Sequence, residues 1–408
     1  MTRKTPDTTA ADLPALARLQ QRALIVGLVG LAAGVSGAFM NVDQFFRSWL
    51  IGFLFCLGFA LGSLGLLMVQ HLSGGQWGLV SRRVFEAATR TLPLVTLFFI
   101  PILFGMRPLF LWARPEAVEV DRILQMKAPY LNVPFFIGRA VVYFALWLLG
   151  MFLLNKWSDA QDRGEAAVTV PEMARFREVS APGLLFLVLT VTFASIDWVM
   201  SLDPHWFSTI FGLLTVVGQG LSALAFTIAV LALIAPTGAL AGCLTPRHFH
   251  DLGKLMLAFV MLWAYLAFSQ FLIIWSGNLP EEIPWYVERI RGGWGVVAVL
   301  LVLGHFALPF LLLLSRDLKR HSGLLAKLAI FVILMRLVDL IWLVAPTFAH
   351  ASSDQGARFD LMVHWMDVVI PVGLAGLWVF LFAHLLRSRP LLPTNDPYFK
   401  EIFAHESH

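Results

Sequence analysis

Ten apolar stretches recur along the 408 residues, near 23–41, 49–70, 86–106, 133–154, 183–202, 207–235, 253–275, 293–314, 324–348 and 361–386, with short polar segments between them. A helix rises 1.5 Å per residue, so about 20 apolar residues cross roughly 30 Å of hydrocarbon. Within lipid every backbone N–H and C=O must pair internally, which a helix achieves along its own length. The pattern therefore predicts an all-α protein of ten transmembrane helices, with a polar tail over 1–21, a membrane domain over 22–388 and a second tail over 389–408. The stretch 207–235 is too long for one upright span and too short for two, so it is expected to tilt or to extend beyond the bilayer.

Composition agrees: 58% of residues are hydrophobic and 14% are charged, which excludes an ordinary soluble domain. Most Lys and Arg residues fall in the tails and in the loops on the same side as the tails. That bias predicts both termini in the cytoplasm. It also accounts for the net charge of +4 without a nucleic-acid partner. The first 21 residues are polar and carry Pro6 and Pro14 ahead of the first apolar run, so they read as a cytoplasmic tail. The loops near 107–131 and 155–182 are too short to bury a soluble enzyme core.

Polar residues inside apolar runs are costly, by about 2.5 to 3.5 kcal/mol for a charge at a helix centre, so each requires a reason. The segment FASIDWVMSLDPHWFSTIF, residues 193–211, places Asp197, Asp203 and His205 where span five turns into span six. Asp203 before Pro204 fits a helix N-cap with proline in the first turn. Asp197 lies deeper, in an apolar helix, and a carboxyl taken out of water there is a candidate for exchanging protons near neutral pH. In span nine Arg336 and Asp339 sit one turn apart, either as a structural ion pair or as a proton relay in which Asp339 changes protonation and Arg336 tunes it. Asp360, His364 and Asp367 follow i, i+4, i+7 spacing and predict one acidic face on span ten.

Tyr265, Ser269, Gln270, His305, Arg139 and Gln219 extend polarity across the membrane, with interhelical hydrogen bonding as the simplest role. At the cytoplasmic side His71, Glu86, His250, Asp251 and Lys254 are either access points for protons or ordinary interfacial residues. The loop SGNLPEEIPWYVERIRGGWG, residues 276–295, pairs an expected aromatic belt (Trp275, Trp285, Tyr286, Trp294) with the acids Glu281, Glu282 and Glu288. Cys56 and Cys243 are the only cysteines, so covalent haem c, iron–sulfur clusters and a disulfide framework have no ligands here. A b-type haem held by two of His71, His305, His364 and His384 is the less favoured reading. No phosphate-binding glycine motif, metalloprotease motif or nucleophile elbow is present, and no metal site is predicted.

The strings SIDWVMSLDPHWFSTIFG and YLAFSQFLIIWSGNLPEEIPWY, with the ten-span plan, resemble the NrfD/PsrC-like integral membrane subunits, in particular those of bacterial alternative complex III. The resemblance runs from about residue 20 to about residue 400. It implies two four-helix bundles, spans two to five and six to nine, with spans one and ten peripheral. It also implies a place in the bacterial inner membrane, within a complex that oxidises quinol and passes electrons through periplasmic iron–sulfur and c-type haem subunits to cytochrome c or a terminal oxidase. Partners would be a paralogous NrfD-like subunit, those redox subunits and membrane lipid. The chain itself would hold no redox centre and would supply a proton path, a scaffold for a quinone site, or both.

Asp197, Asp203 and His205 come from the matching motifs. His305, Arg336, Asp339, His364 and Asp367 join them as proton-path candidates from the residues alone. His71, Glu86 and Lys254 are candidates for cytoplasmic access, and Asp197, His205 and Gln270 for contact with quinone. Two other classes remain open: a stand-alone secondary transporter, and a purely structural anchor for electron-transfer subunits.

Overall fold

The computed structural model describes residues 13–163, 170–236, 243–352, 363–393 and 395–397. Among these residues ten helices are long and apolar enough to span a membrane: α1 (Pro14–Ala38), α2 (Val42–Ser73), α3 (Gln76–Phe104), α4 (Val133–Asp162), α5 (Ala174–Leu202), α6 (Phe211–Ile234), α7 (Pro246–Gly277), α8 (Gly292–Leu314), α9 (Ser322–Phe348) and α10 (Met366–Arg387). No β-strand occurs among the described residues, and the chain is a multi-pass membrane protein.

Helix ends follow capping chemistry more closely than hydropathy. Asn41 opens α2 by accepting from Gln44 N at 3.0 Å, and Asn132 opens α4 by accepting from Phe135 N at 2.9 Å. α1 begins at Pro14, before its apolar run, with Leu13 and Leu16 buried. α4 continues to Asp162, past the apolar run, because its polar last turns are paired with arginines of α3. The long stretch 207–235 becomes an ordinary helix from Phe211, preceded by a non-helical connection over 203–210. Asp203 is therefore not the N-cap of α6. Its carboxylate instead accepts from His205 N at 3.3 Å within the turn.

α2 and α6 form the axis of the molecule and are buried along most of their length. α2 packs against α3, α5, α6 and α10, and α6 packs against α2, α5, α7 and α9. Further contacts join α3 to α4, α4 to α5, α7 to α8 and α8 to α9. Apolar burial drives little association within lipid, so close backbone approach has to supply the attraction. Gly62 provides it at the axis: a Cβ there would lie 2.1 Å from the carbonyl oxygen of Gln219. α1 lies on α10 through Gly27, Gly30, Gly34 and Gly37, where Gly30 meets Gly373 backbone to backbone.

Candidate functional site

At the end opposite the termini, the corner between α5 and α6 is built from three separate contacts. Asp197, fully buried, accepts from Arg139 Nε at 2.8 Å and Nη2 at 2.9 Å, and from the Tyr143 hydroxyl at 2.8 Å. Arg139 is in turn fixed by the Tyr130 carbonyl at 2.9 Å and by the Tyr130 and Phe135 rings, 3.9 and 4.4 Å from its guanidinium carbon. A bidentate arginine with an added phenol is a strong, directional anchor for a carboxylate. Asp197 is thus a fully engaged ion-pair partner joining α4 to α5, where its sequence position alone suggested a lone carboxyl.

His205 faces the other way. Its Nε2 lies 2.6 Å from Asp121 Oδ2, with the imidazole 43% exposed. Asp121 also caps the short helix Arg122–Lys127 through Ile123 N and Leu124 N, while Lys127 Nζ donates to the Pro204 carbonyl at 2.6 Å. The hydrogen bond from His205 holds the Asp121 carboxyl below the usual carboxylate range. The loop after α3 is thereby tied to the corner at both ends of one short helix.

Gln270 on α7 is buried and bridges two further elements. Its Oε1 accepts from Ser208 Oγ at 3.0 Å and its Nε2 donates to the Tyr286 oxygen at 3.1 Å. Burial pushes the Tyr286 phenol up to about 12. Among the described residues no hydrogen bond links Asp197, His205 and Gln270 to one another. The aromatic loop also differs from expectation, since Trp285, Tyr286 and Trp294 are buried and Trp275 alone of the four is exposed. Trp285 stacks on Trp206 at 4.3 Å and 10°, and the buried Arg289 guanidinium lies 3.7 Å from the Trp285 ring. Arg289 donates to the carbonyls of Trp285 and Leu343 and to Thr347, and burial draws its pKa down to about 9, so it stays charged at neutral pH.

A second polar centre lies in the apolar interior of α9. Arg336 Nη1 donates to Asp339 Oδ2, and both residues are buried. Gly218 of α6 makes this possible, because a Cβ there would lie 2.6 Å from the guanidinium carbon. Trp263 of α7 flanks the carboxyl and meets His305 of α8 edge to face at 4.3 Å. His305 is completely buried on a π-helical turn, Leu301–Ala307, with no hydrogen-bond partner on either ring nitrogen among the described residues. π-turns within helices are frequent at functional positions.

Asp367 opens α10 and ties it to α2: Oδ1 accepts from Ser48 Oγ at 2.6 Å and from Gln44 Nε2 at 2.8 Å, and Oδ2 from His364 N at 3.0 Å. His364 precedes the helix, so the expected helical face does not extend to it, and Asp360 lies outside the described residues.

At the end carrying the termini Glu86 is the centre of a dense charge network. It accepts from Arg82 Nε at 2.8 Å, from Arg83 Nη1 at 2.7 Å and from Ser158 Oγ at 2.7 Å. Arg82 also reaches Asp396 at 2.7 Å, Arg83 pairs with Asp162, and Arg90 and Arg389 pair with Asp159. His71 is buried beside it, with Nδ1 3.1 Å from Ser180 Oγ and its ring against Phe176. Lys254 is exposed and pairs with Asp251 at 3.1 Å. Of the remaining histidines considered for haem, His384 is exposed. Cys56 and Cys243 are both buried. Among the described residues no three His, Cys, Asp or Glu side chains gather closely enough to hold a metal ion.

Sequence reasoning missed Tyr143, Asp121 and the arginines around Glu86. Signals for two of these were present: Asp121 stands directly before a short helical run, and Arg82, Arg83, Glu86 and Arg90 have the i, i+3, i+4 spacing of helical ion pairs. No protein-family model matches the chain, and no curated protein matches it.

Proposed function

We propose that this chain is an NrfD/PsrC-like subunit of the ActF type, seated in a bacterial inner membrane with both termini cytoplasmic. It acts within a quinol-oxidising respiratory complex of the alternative complex III kind, beside a paralogous subunit and periplasmic iron–sulfur and c-type haem subunits that carry the electrons. Its own part is a transmembrane proton path, a scaffold for the quinone site, or both. On this reading α2–α5 and α6–α9 are two four-helix bundles that meet along α2 and α6, with α1 lying on α10.

The observation that carries this reading is the Arg336–Asp339 pair deep in α9, with His305 beside it. Asp339 can change protonation and Arg336 cannot, so the pair can receive and release a proton without losing its positive member. Direct contact with quinone is less favoured at Asp197, whose two oxygens are already taken up by Arg139 and Tyr143. A structural-anchor role is the second reading, favoured by the same fact at Asp197 and by the matching engagement of Asp367 and Glu86.

Affinity purification of the tagged chain from a native membrane tests the assignment to a complex. The expected particle contains iron–sulfur and c-type haem subunits, visible by their absorption spectra. Recovery of the chain alone, from mild detergent and at full yield, would contradict the assignment and leave the transporter reading in its place.

A further inference from the structure

A cavity of about 20 Å³ lies among α2, α5, α6 and α9, and its polar lining consists of Thr215, Gln219, Ser222 and Arg336. Thr215, Gln219 and Ser222 recur at i, i+4 and i+7, which places them on one face of α6. Thr215 and Ser222 donate their hydroxyl protons to the carbonyls of Phe211 and Gly218, leaving oxygen lone pairs free to accept. Gln219 is 7% exposed, and its amide makes no hydrogen bond to any described residue. Arg336 is committed through Nη1 to Asp339, and its other N–H groups have no partner among the described residues.

An amide on a side chain only 7% exposed, with no partner among the described residues, costs roughly 1 to 3 kcal/mol per group where no water reaches it. The space beside it has about the volume that one water molecule requires. A cation is disfavoured there by Arg336, and an anion gains little because Asp339 already neutralises that charge. The ligand is therefore neutral, water-sized, and able both to donate and to accept. We infer that this cavity is an internal water site, in which a water bridges the Gln219 amide to the Arg336 guanidinium and so hydrates the buried ion pair from the α2–α6 side. The site stands on geometry and does not depend on the proposed proton path.

Gly58 of α2 lines the same cavity, and a Cβ there would meet Gln219 Cγ at 3.8 Å and Ser222 Oγ at 4.0 Å, ordinary contact distances. Gly58→Ala thus fills the space without a clash, and the sign of its effect separates a wet cavity from a dry one. Gly138→Ala in α4, where a Cβ meets nothing within 4 Å, supplies the helix-propensity control. With the full chain in lipid nanodiscs, Gly58→Ala is expected to lower the thermal midpoint relative to Gly138→Ala. Adding Gln219→Leu to Gly58→Ala should recover part of the loss, because the amide that needed the water is gone. A midpoint for Gly58→Ala equal to or above the control would overturn the water site. Should the variants not fold, a high-resolution structure of the unaltered protein decides: a water peak within about 3.2 Å of both Gln219 and Arg336 is expected. Absence of that peak, in a map showing other internal waters, would also overturn it. Neither readout reports on proton transport, so a failure here is distinguishable from failure of the proposed function.

Discussion

Asp197 shows how far a single residue can be read without its neighbours. Its position in an apolar helix says that the charge is costly, and the structure answers with Arg139 and Tyr143 on the adjacent helix. The cost was legible; the partner was not, because which faces of α4 and α5 meet depends on helix rotation and on the Asn132 cap. Removing one member of a buried pair leaves the other charge uncompensated, at roughly 3 to 5 kcal/mol. Asp197→Asn is expected to destabilise the protein by about that much, and Tyr143→Phe by about 1 kcal/mol, both read by denaturant unfolding in micelles. Equal effects from the two variants would contradict the arginine anchor. The Arg336–Asp339 pair was legible outright, since i, i+3 spacing on one helix needs no tertiary information.

Helices are the level at which the sequence was most informative, because the lipid requirement for internally paired backbone leaves a long apolar run little choice. Their ends were less legible. α4 outruns its apolar stretch because of Asn155, Ser158 and Asp159, whose arginine partners stand on α3. α6 starts late, after a turn closed by Asp203.

Gly373→Leu drives a side chain into α1 at Gly30, 2.9 Å from a Cβ at that position, and should loosen α1 from α10, costing about 1 to 3 kcal/mol; protease sensitivity of α1 and the unfolding midpoint would show it. The His205–Asp121 tether has a defined pH dependence. Its carboxyl is held below the ordinary range, so the tether's stabilisation is present above about pH 4 and is lost as pH falls through the depressed value. Amide hydrogen exchange in the helix Arg122–Lys127 should rise over that acid interval, and Asp121→Asn should show the raised exchange already at pH 7.

For the whole molecule, three of the polar centres lie well apart: the corner held by Asp197, the interior pair at Arg336 and Asp339, and the network around Glu86. The axis of α2 and α6 runs between the helices that carry them, and Gly62 and Gly218 let backbone and guanidinium approach closely there. Of these centres the interior pair is the one whose two members the sequence spacing already set side by side. The Glu86 network draws on α3, α4 and the segment after α10, which are distant in sequence, and hydropathy is silent about which distant segments meet.

Asp339 is proposed to take part in proton movement through a complex that oxidises quinol. The direct test is proton stoichiometry per quinol oxidised, measured in proteoliposomes on the fully assembled complex carrying Asp339→Asn, with Asp367→Asn in parallel. A marked fall in stoichiometry with Asp339→Asn, in particles of normal subunit content, is the result predicted. Unchanged stoichiometry and turnover in both assembled variants would contradict the proton path and leave the chain as a structural anchor.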